Sequence, residues 1–131
     1  MLKLSGIDHI NIFVKDLDET IKFYQDLFGF EVKERSVSPT NGRHYAIIGK
    51  SNRGFLAIYE NDDFDSKKRG NINHLGFHIE NFSKVLESLK KLKVTLGFGS
   101  GIKQYSKSKS IYILDPNGIE IELSETFGGG L

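Results

Sequence analysis

Polar and apolar positions alternate with period two at the start of the chain. Ile10, Ile12 and Val14 fall on one side, and His9, Asn11 and Phe13 on the other. That alternation predicts a strand with one buried face. At Leu17 the period lengthens: Leu17, Ile21, Tyr24 and Phe28 recur at helical spacing, so a helix follows with an apolar stripe turned to a core. Asp16 stands where an N-cap belongs, and Glu19 three residues on completes a capping box. Gly29 is placed to end the helix in the left-handed region. Three further strand candidates follow, Phe30 to Ser36, Arg43 to Gly49 and Phe55 to Glu60. Asn41-Gly42 and Ser51 to Gly54 supply the turns.

The second half repeats the first. A shift of 65 residues lays Ile72 on Ile7, His74 on His9, Ile79 on Val14, Asn81 on Asp16 and Leu86 on Ile21. Leu75, Phe77 and Ile79 alternate with His74, Gly76 and His78. Asn81 or Ser83 can cap a helix whose stripe is Leu86, Leu89 and Leu92. Strands are predicted at Val94 to Phe98, Ser110 to Leu114 and Ile119 to Glu125, the last after the turn Asp115-Pro116-Asn117-Gly118. The fold class expected is α+β: two βαβββ modules forming a curved mixed β-sheet cup with the helices on its outer face. One domain spans 1–131, with module one at 5–60, a polar linker at 61–70, module two at 71–125 and a tail at 126–131.

Composition narrows the chemistry. Lys and Arg number 18 against 17 Asp and Glu, and basic residues form no patch, so neither nucleic acid nor an anionic membrane is an expected partner. Cysteine is absent, which removes thiolate zinc sites and thiol nucleophiles. No apolar run is long enough to span a bilayer, and the first residues lack a signal-peptide core. The expected location is the cytoplasm.

Strand alternation assigns the candidate chemistry to one face. With the aliphatic sets turned to the helices, the opposite set is His9, Asn11 and Phe13, then His74, Gly76 and His78, then Glu120, Glu122 and Ser124. Two imidazoles at duplicated positions and a carboxylate form a facial set that leaves positions open on a divalent ion. The position related to Glu122 by the same shift is Ala57, which cannot coordinate, so the repeat predicts three ligands and an open metal. A lone strand histidine is more often structural; the duplication is what favours ligation for His9 and His74. His44 has no repeat partner and reads as structural. Gly97, Gly99 and Gly101 lack the strand-helix context of a phosphate loop. No serine, histidine and acid form a hydrolase arrangement.

Two stretches carry a family resemblance. The opening, Asp8-His9-Ile10-Asn11-Ile12-Phe13-Val14-Lys15-Asp16-Leu17 with Phe23-Tyr24 and Leu27-Phe28-Gly29-Phe30, resembles the vicinal oxygen chelate superfamily. So do Asn73-His74-Leu75-Gly76-Phe77 and the closing run from Tyr112 to Glu122. The superfamily includes glyoxalase I, extradiol dioxygenases, methylmalonyl-CoA epimerase, fosfomycin-resistance transferases and bleomycin-binding proteins. The resemblance implies metal ligands at His9, His74 and Glu122 for a divalent ion (Fe, Mn, Ni, Co or Zn). It implies a small-molecule substrate that chelates the metal through neighbouring oxygens, as in a glyoxalase-like lyase or isomerase or an extradiol-type dioxygenase. Ala57 stands where glyoxalase I carries a fourth ligand, and the arginine that fosfomycin-resistance enzymes carry beyond the last ligand has no counterpart after Glu122.

Glu120, as a supporting carboxylate, and His78, as a base, are the expected catalytic residues. Tyr105 and Tyr112 are further acid/base candidates, and Lys103 and Lys107 candidates for an anionic group. An alternating Glu at position 120 also reads as solvent-facing. Members of this size commonly form homodimers, so His9 can meet His74 of its own chain or of a second copy. The competing reading is a metal-free binding protein with a cup lined by aromatics such as Phe13, Tyr59 and Tyr112.

Overall fold

A computed structural model describes residues 9–51, 53–68, 74–97, 101–104 and 109–125. The chain divides into two compact units, Met1–Phe64 and Asp65–Leu131, with the boundary inside the segment expected to link the modules. The first unit runs β1 (Ile10–Val14), α1 (Leu17–Phe28), β2 (Glu31–Val37), β3 (His44–Lys50) and β4 (Arg53–Glu60). The second runs β5 (Leu75–His78), α2 (Phe82–Lys91), β6 (Ile102–Gln104), β7 (Lys109–Leu114) and β8 (Glu120–Ser124). Each is a βαβββ module, as the alternation predicts.

Each unit has its own four-stranded mixed sheet, ordered β1-β4-β3-β2 and β5-β8-β7-β6. The first strand pairs in parallel with the last, because the helix between the first two strands carries the chain across; the other neighbours are antiparallel. The duplication holds residue for residue in the central pairings. Asn11 lies opposite Ala57, as Gly76 lies opposite Glu122. Ile47 faces Ala57, as Tyr112 faces Glu122; Tyr45 faces Tyr59, as Ser110 faces Ser124.

The helix starts are duplicated too. The N-cap Asp16 accepts a bond from the Glu19 amide at 2.8 Å, and Asn81 accepts one from the Lys84 amide at 3.1 Å. The expected reciprocal bond from Glu19 is not made among the described residues. Instead the Leu17 amide donates to Glu60 Oε2 at 3.1 Å, and the Phe82 amide to Glu125 Oε1 at 2.8 Å. A carboxylate at the end of each module's last strand therefore serves the first amide of its own helix, where the helix dipole also favours negative charge. Gly29 ends α1 at φ +66°, and its amide bonds back to the last turn.

Val14, Leu17, Ile21, Tyr24, Ala46, Ile48, Leu56 and Ile58 form the core of the first unit. Leu75, Phe82, Leu89, Ile111, Ile113, Ile121 and Leu123 form that of the second. Burying each Val, Leu, Ile or Phe contributes about 1.5–3 kcal/mol. These are the aliphatic sets that alternation turned inward, so the polar sets take the other face of each sheet.

One strand differs from expectation. The segment beginning at Val94 contributes only an isolated bridge, Leu96 to Ile113, and the regular strand is Ile102–Gln104. Backbone partners of β7 are split between two stretches: the Leu114 amide donates to the Thr95 carbonyl and the Tyr112 amide to the Gly101 carbonyl. Gly97 lies so flat against β7 and β8 that a Cβ there would meet Glu120 Oε2 at 2.8 Å and Tyr112 Cβ at 3.3 Å. Close approach of a bare backbone sets that pairing, and period-two counting does not register it.

Candidate functional site

Two of the three expected ligands meet in the second unit. His74, just ahead of β5, brings Nε2 to 3.0 Å from Oε2 of Glu122. Glu122 sits on β8, an inner strand, between Gly76 of β5 and Tyr112 of β7. Its side chain is 8% exposed and that of His74 32%. A Cβ on Gly76 would touch nothing within 4 Å, so the ground beside the carboxylate is open.

Each group is held from a neighbouring strand. The Ser110 hydroxyl, fully buried on β7, donates to Glu122 Oε1 at 2.6 Å. One carboxylate oxygen is anchored and the other is offered to the imidazole. A charge-assisted bond of this kind contributes about 1.5–3 kcal/mol. The Tyr112 ring meets the His74 ring edge-on, with centroids 5.7 Å apart and planes at 90°, which restricts the tilt of the imidazole. Ser110 was not among the candidates read from the sequence. Its signal is weak: a serine alternating with Ile111 and Ile113.

The donor set fits a divalent cation. Two donors each about 2.1 Å from an ion and at right angles stand about 3 Å apart, the spacing of His74 Nε2 and Glu122 Oε2. The third expected ligand, His9, stands exposed just before β1 in the first unit, on the face of Asn11 and Phe13. Among the described residues, no group of three His, Asp or Glu side chains is placed to hold a metal ion. Ala57 occupies the position of Glu122 in the first unit and is buried, so the repeat supplies no carboxylate at that position.

Glu120 does not face solvent. It is 8% exposed, lies on the face of Glu122 and packs beneath Gly97. No hydrogen bond or ion pair engages it among the described residues. His78 is exposed at the end of β5, opposite Ser124, so it is no packed core residue. Tyr112 is buried at 5% exposure. Lys103 lies in β6, opposite Ser110, while Tyr105 and Lys107 lie outside the described residues. Asp115-Pro116-Asn117-Gly118 is a turn: Asp115 Oδ1 accepts from the amides of Asn117 and Ile119 at 2.8 Å each.

The same face of the first unit is aromatic. Phe13, Tyr59, Tyr45 and Ser36 form one row across its four strands. Tyr45 and Tyr59 stack, with centroids 5.0 Å apart and planes at 14°. The Tyr45 hydroxyl donates to Glu34 Oε1, and that bond holds the phenol above its ordinary pKa. The Arg43 guanidinium lies over the Phe13 ring, 5.1 Å from its centroid.

Known proteins are similar to this chain over nearly its whole length. The methylmalonyl-CoA epimerase of mouse mitochondria is 24% identical over 133 residues, covering 94% of this chain and 74% of its own. The metallothiol transferase FosB of Lysinibacillus sphaericus is 28% identical over 124 residues, covering 92% and 82%. The crystal structure of the Listeria monocytogenes fosfomycin resistance protein FosX, complexed with Mn(II) and 1S,2S-dihydroxypropylphosphonic acid, superimposes with a TM-score of 0.75. It is 26% identical and covers 96% of each chain. Residues 6–123 match the profile of one family. With doubled modules in matching register and a His–Glu pair at the repeat position, the chain belongs to the Glyoxalase/Bleomycin resistance protein/Dioxygenase superfamily.

Proposed function

We propose that the protein is a divalent-metal-dependent enzyme acting on a small molecule with two neighbouring oxygens, as a glyoxalase-like lyase or isomerase or an extradiol-type dioxygenase. The observation that carries this reading is the His74–Glu122 pair, 3.0 Å apart, with the carboxylate buried and anchored by Ser110. His9, at the repeat-equivalent position, supplies the third ligand, from the same chain or from a second copy in a homodimer. When bound, the ion would act as a Lewis acid toward adjacent oxygens of the substrate. The relatives matched carry out different reactions, so the reading takes the shared metal chemistry and not one substrate.

The chain's own groups divide the remaining work. Ser110 holds Glu122 in place, Tyr112 orients His74, and the open ground above Gly76 admits the ligand. Glu120 and His78, on the same face, are the groups assigned to move protons. Elemental analysis of chelator-free protein tests the proposal. Stoichiometric Fe, Mn, Ni, Co or Zn is expected, lost in the His9→Ala, His74→Ala double variant. Absence of metal, with no thermal stabilisation by any of these ions, overturns it.

One observation favours a metal-free binding protein instead: His74 and Glu122 satisfy each other as an ion pair when the imidazole is protonated, while the first unit presents a row of aromatics. That reading expects a ligand to bind equally well with and without chelator.

A further inference from the structure

Arg43 is placed over an exposed aromatic ring, Phe13, 5.1 Å from its centroid. Its guanidinium has five N–H donors, yet no hydrogen bond or ion pair engages that side chain among the described residues. The carboxylate nearest in kind on this face, Glu34, is taken by the Tyr45 hydroxyl. Arg43 rests on Phe13, which is itself 48% exposed. A cation over an exposed ring and an aromatic cross-strand pair each stabilise only weakly. Cross-strand packing accounts for Tyr45 and Tyr59. It leaves a half-exposed phenylalanine capped by a guanidinium whose donors meet no acceptor among the described residues.

The duplication sharpens the point. The positions equivalent to Phe13, Tyr59 and Tyr45 in the second unit are His78, Ser124 and Ser110. There the row is polar and supports a carboxylate; in the first unit it is a flat apolar strip beside a cation. The strip shares a sheet face with His9, which lies four residue steps from Phe13, about 13 Å along an extended chain.

We propose that Arg43, Phe13, Tyr45 and Tyr59 form a subsite for the flat, anionic portion of a ligand, an aryl carboxylate. The guanidinium takes the carboxylate through paired N–H donors, and the aryl plane lies along the Phe13–Tyr59 strip. Tyr45, pinned by Glu34, fixes the Tyr59 ring from behind. The subsite rests on the proposed function only in taking this as the ligand face; occupation of it needs no metal.

Isothermal titration of the full chain in chelator tests it with three probes. These are 2-naphthoate, flat and anionic; cyclohexanecarboxylate, anionic only; and 2-naphthylmethanol, flat only. Saturable 2-naphthoate binding is expected, at least tenfold tighter than either other probe. Arg43→Gln should weaken 2-naphthoate at least tenfold while leaving 2-naphthylmethanol unchanged, and Tyr59→Leu should weaken both aryl probes. No saturable binding, equal affinity for the three probes, or an Arg43→Gln variant that binds like the parent would each overturn the subsite. If Tyr59→Leu fails to fold, the Arg43→Gln comparison decides by itself. Because metal is absent, failure here leaves the metal reading intact, and loss of the metal reading leaves a positive result here intact.

Discussion

Glu122 shows how a single carboxylate is prepared by its neighbours. Alternation placed it on the polar face, but nothing in a linear pattern says that Ser110, twelve residues earlier, donates to it. Removing that hydroxyl leaves a buried carboxylate oxygen unpaired, so Ser110→Ala should lower stability by about 1–3 kcal/mol in urea unfolding. On the proposed reading it should also weaken metal retention; an unchanged midpoint would show that Glu122 is solvated. Tyr45 makes a second prediction. Its pKa is raised, chiefly by the bond to Glu34, because ionisation would set a phenolate against a carboxylate. A folded value above the unfolded one means that this contribution is full below the unfolded tyrosine pKa. It is then lost as pH rises through the folded value. Absorbance titration at 295 nm should show a late-titrating tyrosine that Tyr45→Phe removes.

At the scale of elements, the helix ends were the most legible features. Asp16, Asn81 and Gly29 stand where the pattern put them, since caps are local: a side chain meets an amide three residues away, and a left-handed turn favours glycine. The clamps from Glu60 and Glu125 were not legible, as each spans 43 residues. Asp16→Ala should cost about 1 kcal/mol. Gly29→Ala should cost about 1–2 kcal/mol through backbone strain alone, because a Cβ there meets nothing within 4 Å. Thermal unfolding measures both. β6 was the misplaced strand: Gly97 has to lie flat over Glu120 and Tyr112, and the regular pairing moved past it. Gly97→Ala should therefore displace the Glu120 side chain and lower the thermal midpoint.

Across the whole molecule, duplication governs the outcome. The repeat read from His9 and His74 reappears in strand register and helix capping, yet the two copies diverged in what their polar faces carry. No helix among the described residues is long and apolar enough to cross a membrane. On the proposed reading, with His9, His74 and Glu122 as ligands, metal binding and folding are linked. At a hundredfold excess over its Kd, a divalent ion should add about 2.7 kcal/mol of stability. Calorimetry should show that increment vanish in His9→Ala; its persistence there would remove His9 from the ligand set.

Sequence alone determined the two modules and the inward and outward faces of β1, β5 and β8. Those follow from backbone periodicity, which every residue reports locally. Only the tertiary structure decided that His74 and Glu122 touch, that Ser110 anchors the carboxylate, that Glu120 is enclosed, and that Arg43 lies over Phe13. Each of those depends on which strands lie side by side and in what register, and that is set by burial of the whole apolar set.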